Sequence, residues 1–262
     1  MGGRGSESTL HNSKERELAR LFNATRGPVH REIMRQAHET AREFTADHPI
    51  ARGKVDGIMS YDEFRKRYPE AWDLYKQNES DYRTTLTAYA LTHPLPNGHS
   101  VIAVNPALMN PRILYRTYLR DQRATPPFHP AGTTARDIIY HEMGHAAHHA
   151  WDAERRRIQS PYAQLNLVTT ASLLMLNNGH RSDSEGNKSF RRAAARVSEY
   201  AKKNDYELVA EALADARANG KHAQPLSRTI NYTINNHEKA IKRAQRLLES
   251  RYRKRMQKRA KR

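Results

Sequence analysis

Two histidines four residues apart, with a glutamate beside the first, stand in the stretch IIYHEMGHAAHHA (138–150). Residues four apart lie on one face of an α-helix, about 6 Å apart along its axis, so His141 and His145 can aim both imidazoles at one ion. Glu142 follows the first histidine directly and can act as a general base toward a water molecule at that ion. The HExxH pattern therefore predicts a zinc site with Glu142 as its catalytic carboxylate.

The third protein ligand that a catalytic zinc needs is not evident in the motif itself. The chain has no cysteine, so this ligand must be a histidine or a carboxylate. His148 lies seven residues after His141, which is about 10 Å along a continuing helix and too far for bonds of about 2 Å. Ala146 and Ala147 favour continuation of the helix. We therefore expect His148 and its neighbour His149 to flank the site without binding the metal.

A downstream segment, VSEYAKKNDYELVAEALADARANG (197–220), carries three acidic residues at four-residue spacing. Glu207, Glu211 and Asp215 lie on one helical face, whose opposite side is rich in leucine and alanine. This face can supply the missing ligand. The alternative is that the three carboxylates form only the solvated face of the helix.

The two segments together resemble the gluzincin metallopeptidases of the zincin superfamily, with HEMGH (141–145) followed by AEALAD (210–215). In thermolysin-like members, HExxH precedes a helix with the pattern E-x-x-x-D, whose glutamate binds zinc and whose aspartate orients a ligand histidine. The resemblance implies Glu211 as the third zinc ligand and Asp215 as the residue that orients a histidine. Glu207 is the alternative ligand, because it too is followed by an acid four residues later.

The resemblance covers about residues 95–235 and extends to lethal-factor-like zincins and to zincin domains encoded by phages and prophages. It implies a zinc-dependent endopeptidase acting on a protein or peptide, either cytoplasmic or virion-associated. Tyr200 is the candidate donor to the oxyanion that develops during cleavage, and Tyr206 is the second candidate. The strand SVIAVNP (100–106) would be the edge strand that pairs with an extended substrate.

Apolar residues recur at helical spacing through most of the chain. SVIAVNP (100–106) is the clearest strand, because it is short, β-branched and closed by Asn-Pro. We therefore expect a mainly α (α+β) fold, in which a zincin-like helical domain with a small mixed sheet holds the active-site helix and the downstream glutamate-bearing helix. The predicted regions are a disordered leader (1–12), a helical N-terminal region (13–92), a zincin-like domain (93–236) and a basic tail, helical or disordered (237–262).

The net charge of +17 is concentrated in the tail, where 237–262 holds twelve Lys and Arg against two Glu. This tail predicts non-specific nucleic-acid binding through Lys239–Arg262, with a solvated tail or binding to an acidic protein surface as the alternatives. So charged a segment should bury little, and its deletion should leave folding intact. No apolar run reaches membrane-spanning length, and the first residues lack the pattern of a signal peptide. The alternative function is a virion- or nucleic-acid-associated structural protein that retains a zincin-like domain.

Overall fold

The computed structural model describes residues 28–77, 88–105, 108–109, 111–125, 127–157, 165–176 and 184–260. Several expectations lie outside these ranges. They are the disordered leader (1–12), the parts of the helical N-terminal region at 13–27 and 78–87, and the last two residues of the tail (261–262).

Helices make up most of the described chain, and one small mixed sheet accompanies them, which confirms the predicted fold class. The helices in chain order are α1 (Pro28–Asp47), α2 (Tyr61–Arg67), α3 (Pro69–Gln77), α4 (Pro111–Arg123), α5 (Asp137–Arg157), α6 (Leu167–Leu176), α7 (Ser184–Val197), α8 (Asp205–Asn219), α9 (Pro225–Asn235) and α10 (His237–Ala260). The strands are β1 (Val55–Ser60), β2 (Ala90–Pro94) and β3 (Ser100–Val104).

The sheet has the order β1-β3-β2, so the predicted strand SVIAVNP occupies its centre. β3 pairs with β1 in parallel and with β2 antiparallel, and all five of its residues are buried. The prediction that this strand forms an edge is therefore wrong, because its uninterrupted apolar run fits burial on both faces and pairing on both sides. β1 and β2 form the two edges instead, and β1 and the first residues of β2 lie within the region (13–92) for which only helices were predicted. The sequence of β2, ALTHP, lacks the β-branched run that identified β3.

The helix α5 carries the HExxH motif and packs closely against α8, the helix that bears the downstream acids. Gly144 permits this approach, because a Cβ added there would lie 2.8 Å from Cα of Ala210 on α8. The small side chain at Ala210 has the same effect from the other side. The two helices can therefore bring their polar side chains together above this contact.

Substitution of Gly144 by alanine is expected to destabilise the protein by about 1–3 kcal/mol, because the added methyl group meets backbone that cannot rotate away. Helix propensity alone predicts that the substitution stabilises the protein, since alanine is favoured over glycine by about 1 kcal/mol inside a helix. Urea unfolding of the wild type and of Gly144→Ala, both treated with chelator, separates the two effects. A more stable variant would contradict the close contact between α5 and α8.

The basic helix α10 is anchored on the body of the protein by its first turns. Ala240, Ile241 and Ala244 are buried, and Leu248 packs partly against Leu165 and Leu173. The expectation that residues 237–262 bury little is therefore wrong for the first half of the segment. Deleting the whole segment would expose apolar surface of the core and destabilise the fold.

The described helices include none that is both long enough and apolar enough to cross a lipid bilayer.

Candidate metal centre

Two local features position the side chains of the centre. α5 runs without a break through the motif, so His141 and His145 lie one turn apart on one face of the helix. α8 begins after Asn204, whose side chain caps the helix by accepting a hydrogen bond from the backbone N–H of Glu207 at 2.9 Å. The cap fixes Glu207 in the first turn of α8, opposite the two histidines.

His141, His145 and Glu207 form a group that could hold a metal ion. The two Nε2 atoms lie 3.1 Å apart, and Glu207 Oε2 lies 3.2 Å from Nε2 of His141 and 3.3 Å from Nε2 of His145. Ligands of a tetrahedral zinc with bonds of about 2.0–2.2 Å lie about 3.3–3.6 Å from one another. The three observed separations are close to the edges of such a tetrahedron.

The burial of Glu207 Oε2 also fits a cation at this position. The atom is inaccessible to solvent, and no hydrogen bond with good geometry reaches it within the described part of the chain. A buried carboxylate oxygen without a hydrogen bond is costly, and a cation between it and the two imidazoles removes that cost.

The electrostatics of the centre favour positive charge. Burial opposes protonation of His141, but the carboxylates of Glu207 and Glu211 outweigh burial and raise the pKa of His141 to about 10. Burial likewise opposes ionisation of Glu207, but the nearby imidazoles of His141 and His145 hold the pKa of this carboxyl well below its ordinary value. A metal ion would displace the proton from His141 and take over the role of the positive charge.

The predicted ligand Glu211 lies one helical turn further along α8 and contacts the other side of the His141 ring. Its Oε1 lies 2.8 Å from Nδ1 of His141, and it is almost completely buried. Glu211, the ligand that the resemblance implies, therefore lies outside the group that could hold a metal ion. Glu207, the alternative, faces the Nε2 atoms, whereas Glu211 places its negative charge beside Nδ1 of His141.

Asp215 was predicted to orient a ligand histidine, but it contacts neither His141 nor His145. Its carboxylate accepts hydrogen bonds from the Asn219 side chain at 2.7 Å and from the backbone N–H of Gln224 at 2.9 Å. It therefore ties the end of α8 to the turn before α9. The two acids of α8 that lie next to His141 are Glu207 and Glu211, one turn earlier than the predicted pair Glu211 and Asp215.

Glu211 is itself fixed by two residues that the sequence pattern did not single out. Nδ1 of His129 lies 3.1 Å from Oε1 of Glu211, and the Ser198 hydroxyl donates to Oε2 at 2.8 Å. His129 stacks on Tyr118, with the ring centroids 5.2 Å apart. It belongs to a proline-rich loop, where a single histidine carries no periodic signal, so no pattern in the sequence could have identified it.

Glu142, the predicted general base, lines the same cleft as the metal-binding group. The Thr92 hydroxyl on β2 lies 2.7 Å from its Oε2 and 2.9 Å from its backbone carbonyl oxygen. This contact holds the carboxylate against the edge strand. Thr92 was also missed by the sequence analysis, because β2 was not predicted as a strand.

The cleft itself has a volume of about 620 Å³. It is lined by residues of the edge strand β2 and by Phe128, Tyr200 and Lys203. The cavity, which opens to solvent, thus contains the group that could hold a metal ion, Glu142 and residues of β2, whose second side has no partner strand in the described part of the chain.

Tyr200, the candidate oxyanion donor, lies at this cleft with its ring 5.9 Å from that of His141. Burial and then the negative charge of Glu207 raise the pKa of Tyr200, so the phenol stays protonated and able to donate. Tyr206, the second candidate, is 42% exposed at the rim of the cleft, and its ring packs on those of His148 and His149.

His148 and His149 lie beside the centre, in different surroundings from the two motif histidines. His148 is buried, and its ring centroid lies 4.4 Å from that of Tyr206. Nδ1 of His149 lies 3.0 Å from the Ser100 hydroxyl on β3. Neither residue belongs to the metal-binding group.

Acidification below about pH 6.5 should destabilise the fold through His148, whose burial lowers its pKa from 6.5 to about 3. The folded state keeps this imidazole neutral, whereas the unfolded chain binds a proton, so stability falls as the pH drops from 6.5 toward 3. At pH 5 the loss relative to pH 8 is about 2 kcal/mol.

Urea unfolding of chelator-treated wild type and of His148→Gln at pH 8 and pH 5 measures this effect. The variant should lose less stability than the wild type between the two pH values, even if it is less stable at both. An identical loss in the two proteins would contradict the neutral, buried state of His148.

Comparison of the chain with protein-family models, with curated proteins and with solved structures finds no match. The functional interpretation therefore depends on the residues and geometry of the centre.

Proposed function

We propose that the protein is a zinc-dependent endopeptidase. The observation that carries this proposal is the tetrahedral spacing of Nε2 of His141, Nε2 of His145 and Oε2 of Glu207, in the same cleft as the carboxylate of Glu142. This set of side chains combines three ligands with a separate base, which is the minimum that hydrolysis of a peptide bond at a metal requires.

Zinc suits this donor set better than the other common biological metals. Two imidazole nitrogens and one carboxylate oxygen form the ligand set of many catalytic zinc sites, whereas magnesium and calcium prefer oxygen donors alone. When bound, zinc would polarise the scissile carbonyl and lower the pKa of the attacking water. The fourth position of a tetrahedron would face the cleft, since three corners belong to the protein.

The protein's own residues supply the remaining steps. Glu142 accepts the proton of the attacking water and passes it to the leaving amine, and Thr92 holds the carboxylate in place for both transfers. Tyr200, whose ring lies beside that of His141 in the cleft, donates a hydrogen bond to the oxyanion. Glu211 and His129 keep the His141 ring in its orientation throughout.

The edge strand β2 gives the substrate its orientation. One side of β2 pairs with β3, and its other side has no partner strand in the described residues, while residues 88–92 line the cleft. An extended peptide can add to this edge by backbone hydrogen bonds, which hold an internal segment of a chain over the metal. This is why we propose cleavage within a chain. From the resemblance noted above, we propose a phage or prophage origin.

Removal of the metal is expected to abolish this activity, because neither Glu142 nor Tyr200 can polarise the carbonyl alone. A panel of peptides of random sequence, incubated with the zinc-loaded protein and analysed by mass spectrometry, should show cleavage products. These should disappear with chelator and return when one equivalent of zinc is added. Cleavage that survives chelation, or a zinc-loaded protein that cleaves no member of the panel, would contradict the proposal.

A further inference from the structure

The helix α10 has two faces of opposite character. Ala240, Ile241 and Ala244 are buried against the body of the protein, so the helix is held in a fixed orientation. Its outward face is exposed and carries six basic residues over about 22 Å: Lys239, Lys242, Arg243, Arg246, Arg253 and Lys254. Folding therefore arranges the charge of the tail as one row on a rigid support.

Acidic residues compensate little of this charge. Lys242 and Arg253 each lie near a glutamate on the same helix, at 3.5 Å and 3.7 Å, and such exposed pairs contribute little. Within the described residues, Lys239, Arg243, Arg246 and Lys254 have no carboxylate at ion-pairing distance. The basic side chains of the row thus repel one another in the free protein, and a partner with regularly repeated negative charges would relieve this repulsion.

The basic row continues into a neighbouring cleft of about 410 Å³. Arg243 belongs both to the outward face of α10 and to this cleft, where Arg228 and the half-exposed Tyr232 also line the wall. Tyr252 is 66% exposed on the distal half of α10, but it lies four residues after Leu248 and so on the opposite side of the helix from the row. The ring of Tyr232, among the arginines of the cleft, can stack on a nucleic-acid base without reading the sequence.

We propose that the outward face of α10 binds nucleic acid through its phosphate backbone, without sequence preference. In the first half of the row, basic residues three or four positions apart recur every 4.5–6 Å, and Arg253 and Lys254 follow about 10 Å further on, so several can contact phosphates of one strand. A membrane surface fits less well, because the first half of the apolar face of α10 packs on the body of the protein and leaves few apolar side chains for a bilayer. This binding is independent of the proposed peptidase activity, since no residue of the row lines the cleft that contains His141, His145 and Glu207.

Binding of a 20-nucleotide single strand of mixed sequence, labelled with a fluorophore, tests the proposal on the full-length protein. The row variant replaces four basic residues by glutamine: Lys239, Arg243, Arg246 and Lys254. The control variant makes the same change at four exposed basic residues of the N-terminal elements: Arg31, Arg42, Arg52 and Lys66. Both variants lose the same net charge, and circular dichroism verifies that both are folded.

The row variant should bind at least about tenfold more weakly than the control variant at 50 mM salt. The slope of log affinity against log salt should also fall by about 3 in magnitude, since each lost phosphate contact on a single strand removes about 0.7. Equal weakening in both variants, unchanged binding in the row variant, or no binding by the wild type at low salt would each overturn the proposal. Equally tight binding to polyglutamate or to phosphatidylserine vesicles would overturn it too, in favour of an acidic protein or a membrane.

Discussion

Replacement of Glu142 by glutamine is expected to lower peptide cleavage by at least about a hundredfold while the zinc content stays at the wild-type level. Glutamine keeps the size of the side chain and can still hydrogen bond to Thr92, but it cannot accept a proton from the attacking water. The carboxylate is not a member of the metal-binding group, so the affinity for zinc should change little. The expected effect is therefore confined to the catalytic step.

The initial rate of cleavage of one verified peptide, together with the zinc content of each protein sample, measures this effect. Glu154→Gln is a matched control, because Glu154 lies on the same helix α5 but does not line the cleft. Equal activity of wild type and Glu142→Gln would exclude Glu142 as the base. Loss of zinc from Glu142→Gln would assign Glu142 to the metal instead.

The local part of the centre follows from the sequence alone. His141, Glu142 and His145 lie on one continuous helix, so their relative positions depend only on helical geometry. The limits of α8 are likewise local, because Asn204 caps its start and Gly220, with φ of 52°, follows its end. Such features need no knowledge of the rest of the chain.

The identity of the third metal-binding residue depends on how two helices pack, which is a property of the tertiary structure. Glu207, Glu211 and Asp215 share one face at four-residue spacing, so a shift of about 6 Å along α8 exchanges one for the next. The contact of Gly144 with Ala210 sets that shift. The spacing of the acids is the same at every turn and could not distinguish Glu207 from Glu211.

The residues that support the centre come from segments with weak sequence signals. Thr92 lies on an edge strand that has no β-branched run, and His129 lies in a proline-rich loop. Ser198 stands between two helical segments and reaches Glu211 only in the folded chain. The position of each of these residues depends on contacts between segments that are distant in sequence. The periodic spacing of residues along the chain carries no information about such contacts.

Replacement of Glu207 by alanine is expected to cause the largest loss of metal affinity of any single change in α8. It removes one of three protein ligands and leaves two histidines one turn apart, which bind zinc weakly. Glu211→Gln, by contrast, leaves all three ligands in place and removes only the charge that holds Nδ1 of His141. Loss of such a supporting contact weakens metal binding by about 10–100-fold.

The different contacts of Glu207 and Glu211 thus predict an order of zinc affinities among the variants. Asp215→Asn serves as the control on the same helix, because its contacts with Asn219 and Gln224 lie away from the histidines. Circular dichroism of the metal-free proteins verifies that each variant is folded. The comparison then reports on the metal site and not on the stability of α8.

The dissociation constant for zinc, measured by competition with a chromophoric chelator, tests the metal-binding group most directly. The wild type should bind one zinc per chain, Asp215→Asn should match it, Glu211→Gln should bind about 10–100-fold more weakly, and Glu207→Ala should be the weakest of the four. Tighter binding by Glu207→Ala than by Glu211→Gln, or no zinc in the wild type, would contradict a metal centre formed by His141, His145 and Glu207.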